Sequence, residues 1–190
     1  MSSIRLFTVA TMFALIVGGV ANASTFRPVM DPGMTPDDGA AAAYCAKTGG
    51  VVQTRVAEYG TNGSSRLVLA GVRRFCQYTL KKDGSQINLL LGTLYTTKPS
   101  LAALAYYAQV PAGSCQGNPA SCYCSLLGGS DLFGGINAAG GGWVLESSQN
   151  DVLEACIFPD QSSIDSFGLF YHSAGIVRGI DLSKVLRFQH

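Results

Sequence analysis

The chain reads as an α+β protein of two tandem related units, each a helix, a small antiparallel sheet and a closing helix, braced by disulfides. Three observations predict this class. The word YCAKTGG at Tyr44–Gly50 returns 79 residues later as YCSLLGG at Tyr123–Gly129. Runs rich in β-branched and apolar residues, split by turn chemistry, follow each copy. The cysteines keep step with the repeat: Cys45 precedes Cys76 by 31 residues, and Cys124 precedes Cys156 by 32.

The opening residues predict export. Arg5 is followed by an apolar run, Leu6–Val20, and then by the small-x-small pattern Ala21-Asn22-Ala23. That is a cleavable signal peptide over residues 1–23. The run is shorter than the ~20 residues a membrane span needs. The expected destination is the periplasm or the extracellular space, with residues 24–34 as a linker.

Unit one is assigned to residues 35–110. Thr35-Pro36-Asp37-Asp38 opens an alanine-rich helix, with carboxylates at the positive end of its dipole, and Gly49 closes it. Strands are expected at Val51–Glu58, Arg66–Ala70 and Val72–Leu80, separated by YGTNG and AG turns. An apolar stretch, Ile87–Tyr95, and a closing helix within Ser100–Gln109 complete the unit.

Unit two is assigned to residues 111–190. Asn118 is a good N-cap, Pro119 suits the first helical position, and Gly128 offers the left-handed stop after Leu127. Strands are expected at Leu132–Asn137, Trp143–Ser147 and Val152–Phe158, with AAGGG and SQND as turns. The stretch Ile164–Tyr171 and a closing helix over Asp181–Phe188 follow. Between the units FCQY (Phe75–Tyr78) aligns with ACIF (Ala155–Phe158), and DGSQIN (Asp83–Asn88) with DQSSID (Asp160–Asp165).

An even cysteine count in an exported chain predicts a disulfide framework rather than a metal site. The repeat selects Cys45–Cys76 and Cys124–Cys156 as equivalent links from helix to sheet, leaving Cys115 and Cys122 to close a local loop. Each long link is worth ~3–4 kcal/mol on the loop-entropy model.

Beyond residue 23 the chain carries 12 basic and 12 acidic residues. That balance argues against nucleic-acid binding, which needs a cationic surplus. The distribution is uneven, with eight basic and two acidic residues over 40–110, against three and seven over 111–190. Arg66, Arg73, Arg74, Lys81 and Lys82 are the candidate anionic-partner face. The alternatives are a docking field between the units and ordinary solvated surface.

No catalytic constellation emerges. His172 and His190 are the only histidines; the second ends the chain, and His172 is expected to play a surface or capping role. There is no G-x-S-x-G elbow, and bridged cysteines supply no thiolate. Cys122-x-Cys124 sends its sulfurs to different sides of a helix, so no metal site or cofactor is expected. Asp160 and Asp165 read as local caps, Trp143 as a core residue, and Gly134, Gly135 and Gly140–Gly142 as hairpin turns rather than a phosphate cradle.

Unit two also carries a resemblance. NPASCYCSLLGG, followed by CIFPDQSSIDSFGLFY, resembles the small exported bacterial domain of unknown function 333, a family often labelled hemolysin-like. Asn118, Pro119, Ala120, Ser121, Tyr123, Cys124, Gly128 and Gly129 match its first motif; Cys156, Pro159 and Asp165 suit its second. Gln161 stands where the family has glycine, and Ser166-Phe167-Gly168 where it has Glu-Trp-Ala. The match spans Asn118–Tyr171, and unit one reads as a drifted copy. The resemblance implies export and a disulfide-braced fold.

The expected function is therefore a non-enzymatic exported binding protein, its partner another protein or a cell-envelope component. The alternatives are a membrane-active, hemolysin-like protein and a hydrolase using His172. Membrane contact is not the favoured mode, because the apolar face of Ser100–Gln109 reads as a docking face. The sequence does not address oligomeric state.

Overall fold

The computed structural model describes residues 38–131 and 139–190. The signal-peptide and linker assignments, and the strand expected at Leu132–Asn137, lie outside the described residues. In chain order the elements are α1 (Asp38–Lys47), β1 (Val51–Tyr59), β2 (Leu67–Thr79), β3 (Gln86–Leu90), α2 (Leu91–Tyr95), α3 (Leu101–Ala108) and α4 (Pro119–Leu126). There follow β4 (Gly141–Leu145), β5 (Ser148–Leu153), β6 (Ala155–Ile157), β7 (Ser163–Asp165), α5 (Ser166–Ser173) and a 3₁₀ turn at Leu182–Lys184.

The strands form one antiparallel sheet of seven, in the order β5-β4-β1-β2-β3-β7-β6. Strands from both halves of the chain thus share a sheet. Its two edges, β5 and β6, are separated in sequence by Glu154 alone. A link that short forces the edges together, so the sheet curls into a trough with a concave and a convex face.

Alternation along the strands sorts side chains between the faces. On the convex face one row crosses five strands: Val52 opposes Cys76, Cys76 opposes Leu89, Leu89 opposes Ile164, and Ile164 opposes Cys156. The last four are fully buried beneath the helices. These four are anchored at both ends by the bridges Cys45–Cys76 and Cys124–Cys156, which tie α1 to β2 and α4 to β6. Cys115–Cys122 closes the third bridge, so the pairing is the one the repeat selects.

The repeated word builds the same corner twice. Gly49 (φ +90°) and Gly128 (φ +82°) take the left-handed conformation that stops each helix. The amides of Gly50 and Gly129 then donate back to Cys45 and Cys124. A Cβ at Gly50 would sit 2.3 Å from Cys76 Sγ, and one at Gly129 would sit 2.4 Å from Cys156 Sγ, so each second glycine makes room for its bridge. The tyrosines do something the spacing did not suggest. Tyr44 Oη donates to the carbonyl of Val185, and Tyr123 Oη to that of Val110, so each fastens a distant stretch of chain.

Several expected boundaries moved. Arg66–Ala70 and Val72–Leu80 are one strand, because the AG pair forms a bulge rather than a turn: Val56 opposes Val72, yet Glu58 opposes Val68. The SQND segment is part of β5, not a loop. Gly142 lies within β4, where a Cβ would meet Val152 Cγ1 at 2.6 Å; it admits a neighbouring strand instead of turning the chain. Both apolar stretches begin as strands and finish as helices, β3–α2 and β7–α5. The expected closing helix at Asp181–Phe188 shrinks to the 3₁₀ turn.

Candidate functional site

The concave face is apolar at one end of the trough and polar at the other. Ala57, Phe75, Leu90, Trp143, Leu153 and Ala155 form a small buried cluster there, gathering residues from β1 to β6 and bearing out Trp143 as core. Towards the open end the inward positions turn polar: Gln86 and Asn88 on β3, Asp165 at the end of β7, Arg55 on β1 and Asp151 on β5. They line a cleft of about 400 Å³ at the mouth of the curled sheet. Mouths of curled and closed sheets are recurrent ligand sites.

Arg55 is 1% exposed and fully engaged. It donates to Gln53 Oε1, to the carbonyls of Trp143 and Asp151, and at 2.9 Å to Asp151 Oδ1. That network ties β1 to β4 and β5 and neutralises the cation.

Asp165 caps α5, with Oδ1 accepting from the Gly168 amide at 2.9 Å, as expected of a capping aspartate. Its Oδ2 accepts from Asn88 Nδ2 at 3.3 Å. Burial pushes its pKa up, against the pull of those hydrogen bonds. Asn88 is 3% exposed, and its carbonyl Oδ1 has no partner. A buried amide with one end unmet is costly in a finished core. Here it lines a cleft.

Glu154, the residue joining the two sheet edges, accepts from Asn118 Nδ2 at 2.8 Å, and burial raises its pKa. Asn118 therefore has two tasks, because its Oδ1 also caps α4 by accepting from the Ala120 amide. Phe167 and Tyr171, one turn apart on α5, form a wall of the cleft. Arg178 lies 5.0 Å over the Tyr171 ring and donates its Nε–H to the Gln86 carbonyl.

The five basic residues of the expected anionic-partner face are not brought together. Arg73 and Arg74 are successive strand residues and take opposite faces. Arg73 lies in the trough, 8% exposed, over the Trp143 ring at 5.2 Å and bonded to Gln161 Oε1. Arg74 pairs with Asp38 at 3.5 Å, and Arg66 with Glu58 at 3.4 Å. Lys81 and Lys82 are exposed in the turn after β2.

His172 is half-buried, stacked flat on Tyr106 at 3.7 Å, with its Nδ1 buried and unpartnered. Burial lowers its pKa, opposed by Asp181. The ring packs between α3 and α5; no Ser or Cys side chain hydrogen-bonds it among the described residues. Asp160 and Asp83 make the same local turn, each accepting the amide two residues on, from Ser162 and Ser85. Asp160 also accepts from the Leu101 amide at the start of α3. Among the described residues no group of three or more His, Cys, Asp or Glu is placed to hold a metal ion, and no helix is long and apolar enough to cross a membrane.

Apart from Asp165, read as a local cap, the residues that line the cleft were not singled out from the sequence as a site. Gln86 and Asn88 alternate with Ile87 and Leu89, the ordinary signature of a strand with one wet face. Curling turns that wet face into a mouth, which requires knowing that β5 and β6 meet. Searches against protein-family models, curated proteins and solved structures return no match to this chain.

Proposed function

We propose that this is an exported, non-enzymatic binding protein that takes a polar group of a cell-envelope component into the mouth of its curled sheet. The observation that carries this reading is Asn88: a buried residue of the cleft lining, held by Asp165 through its nitrogen and unmet at its buried oxygen. Export is supported by three disulfides, which persist in oxidising compartments. Two related halves are supported by the two glycine corners, and by Asn88 and Asp165 themselves. The repeat aligns these two residues with each other, and they are hydrogen-bonded to each other on neighbouring strands, as partners across a pseudo-two-fold axis would be. The site would then lie where the halves meet.

The test is capture from envelope extract by the oxidised chain, with Glu154→Gln and Asn88→Ala variants alongside. Capture that both variants weaken is expected. Capture that neither variant changes, or no capture at all, would reject the cleft as the site.

A second reading has its own observation. Leu67, Val68 and Leu69 are 58%, 68% and 53% exposed at the distal end of β2, beside the bulge. Three adjacent exposed apolar residues suit insertion among lipid headgroups, in keeping with the hemolysin-like label of the family this chain resembles. Dye release from vesicles that falls when Leu67 and Val68 become serine would favour it; no release would dismiss it.

A further inference from the structure

The three bridges differ in what covers their sulfurs. Cys45, Cys76, Cys124 and Cys156 are all 0% exposed. A glycine backbone also lies against each of those two bridges. A Cβ at Gly50 would fall 2.3 Å from Cys76 Sγ and 2.9 Å from Cys45 Sγ, and one at Gly129 would fall 2.4 Å from Cys156 Sγ and 3.0 Å from Cys124 Sγ. Space that refuses a methyl group refuses an attacking sulfur. Cys115 and Cys122 are partly exposed instead. Both line a surface cavity of about 400 Å³, together with Gly113, Ser114, Pro119 and Ser125.

The third bridge is also the one the fold can spare. It closes over a sequence separation of 7, against 31 and 32 for the others, so it constrains the unfolded chain least. It ties residues 111–117 to α4. Apart from contacts of the two sulfurs themselves, no hydrogen bond among the described residues holds that stretch. Helix α4 keeps anchors of its own: the Cys124–Cys156 bridge, the Asn118 cap and the bond from Tyr123 to the Val110 carbonyl.

We propose that Cys115–Cys122 is a thiol–disulfide exchange site, opened by a dithiol reductant while the other two bridges stay closed. One thiolate of the dithiol attacks Cys115 Sγ, forming a mixed disulfide and passing the S–S electron pair to Cys122 Sγ. Cys122 lies in the first turn of α4, whose positive dipole end favours the departing thiolate. The second thiolate of the dithiol then attacks its own sulfur in the mixed disulfide and expels Cys115. The dithiol is oxidised to a disulfide, the bridge is reduced, and the two thiol protons of the reductant end on Cys115 and Cys122. A dithiol suits the site because Cys122, tethered close by, recloses on Cys115 unless the mixed disulfide is resolved from the other side. Opening frees residues 111–117 from α4 and leaves the sheet and its helices pinned.

The test is graded reduction of the oxidised chain with dithiothreitol, quenched with iodoacetamide and mapped by peptide mass. Cys115 and Cys122 should be alkylated together, about tenfold or more faster than any other cysteine, because the other sulfurs react only after the fold opens over them. The selectively reduced protein should keep a cooperative thermal transition. A double variant, Cys115→Ser with Cys122→Ser, should still form the other two bridges. In single variants, Cys122 of the Cys115→Ser chain should be alkylated at lower pH than Cys115 of the Cys122→Ser chain. Reduction of all three bridges at one rate, or of a buried bridge first, would overturn the proposal. So would a double variant that fails to fold, since the bridge would then be structural. The reverse pH order would overturn the assignment of Cys122 as the leaving thiolate.

Discussion

The two faces of one sheet have been given opposite tasks. On the convex side, Cys76, Leu89, Ile164 and Cys156 form an unbroken buried row, sealed by α1, α4 and α5 and pinned at its ends by covalent bridges. On the concave side of the same strands, Asn88 Oδ1 has no donor and Arg73 is buried with two nitrogens unmet. No carboxylate pairs with Arg73 among the described residues. The difference teaches where stability is concentrated: the helix-covered face holds the fold, and the trough retains groups that a core optimised for stability would discard.

The comparison breaks most easily at the bridges. Replacing Cys124 and Cys156 together by alanine should cost ~3–4 kcal/mol, read from denaturant midpoints, because the link closes a long loop. Leu89→Ala, in the middle of the convex row, should cost about 2–5 kcal/mol by loss of burial and the cavity left behind. If either change proves neutral, the convex face is not the principal source of stability.

The concave face should respond in the other direction. Arg73→Met removes a buried cation without an acidic partner and should leave stability unchanged or raise it by about 1 kcal/mol or more in the same measurement. A loss of several kcal/mol would show the trough to be as well adapted as the outer face.

A pH series sharpens the contrast with a smaller effect. Glu154 and Asp165 have pKa values raised by burial, so each binds its proton more tightly folded than unfolded. Their contribution is complete below the ordinary carboxylate value, about 4, and is lost as pH rises through the folded value. Asp160 and Asp181 behave oppositely. Burial opposes their ionisation, but hydrogen bonds from Ser162 and Ser183 outweigh it and hold both pKa values down. Their contribution is present above about 4 and lost as pH falls through their folded values. Acidification from neutrality therefore lowers thermal midpoints through His172, whose pKa burial depresses from its ordinary value of about 6.5, and raises them through Glu154 and Asp165. A His172→Gln variant, freed of the first effect, should show midpoints that rise from neutrality and fall again below about pH 4. The smallest effect is expected at the surface: Val68→Ser should shift stability by no more than about 0.5 kcal/mol.

What the sequence disclosed follows from how local each signal is. The Asn118-Pro119 start, the glycine stops and the strand β1 all rest on residues within one turn or strand of each other, and they were legible. The disulfide pairing was legible because the repeat supplied a long-range constraint that periodicity lacks. The strand-to-helix switches at Leu90/Leu91 and Asp165/Ser166 were not, since a short buried apolar run has no period to separate the two forms. The cleft was least legible of all. Asn88, Glu154 and Arg178 converge only when the sheet curls, and curling is set by the single-residue link between β5 and β6. Asp165 was read correctly as a cap, but its contact with Asn88 depends on which strands are neighbours.

The three bridges also have a property of order. Numbered along the chain, the cysteines pair first with second, third with fourth and fifth with sixth. No bridge encloses or crosses another. A polypeptide threaded N-terminus first into an oxidising space would meet each correct partner as the very next thiol to arrive. Oxidation in order of emergence would then give the native connectivity directly, with no mispaired bridge to reshuffle.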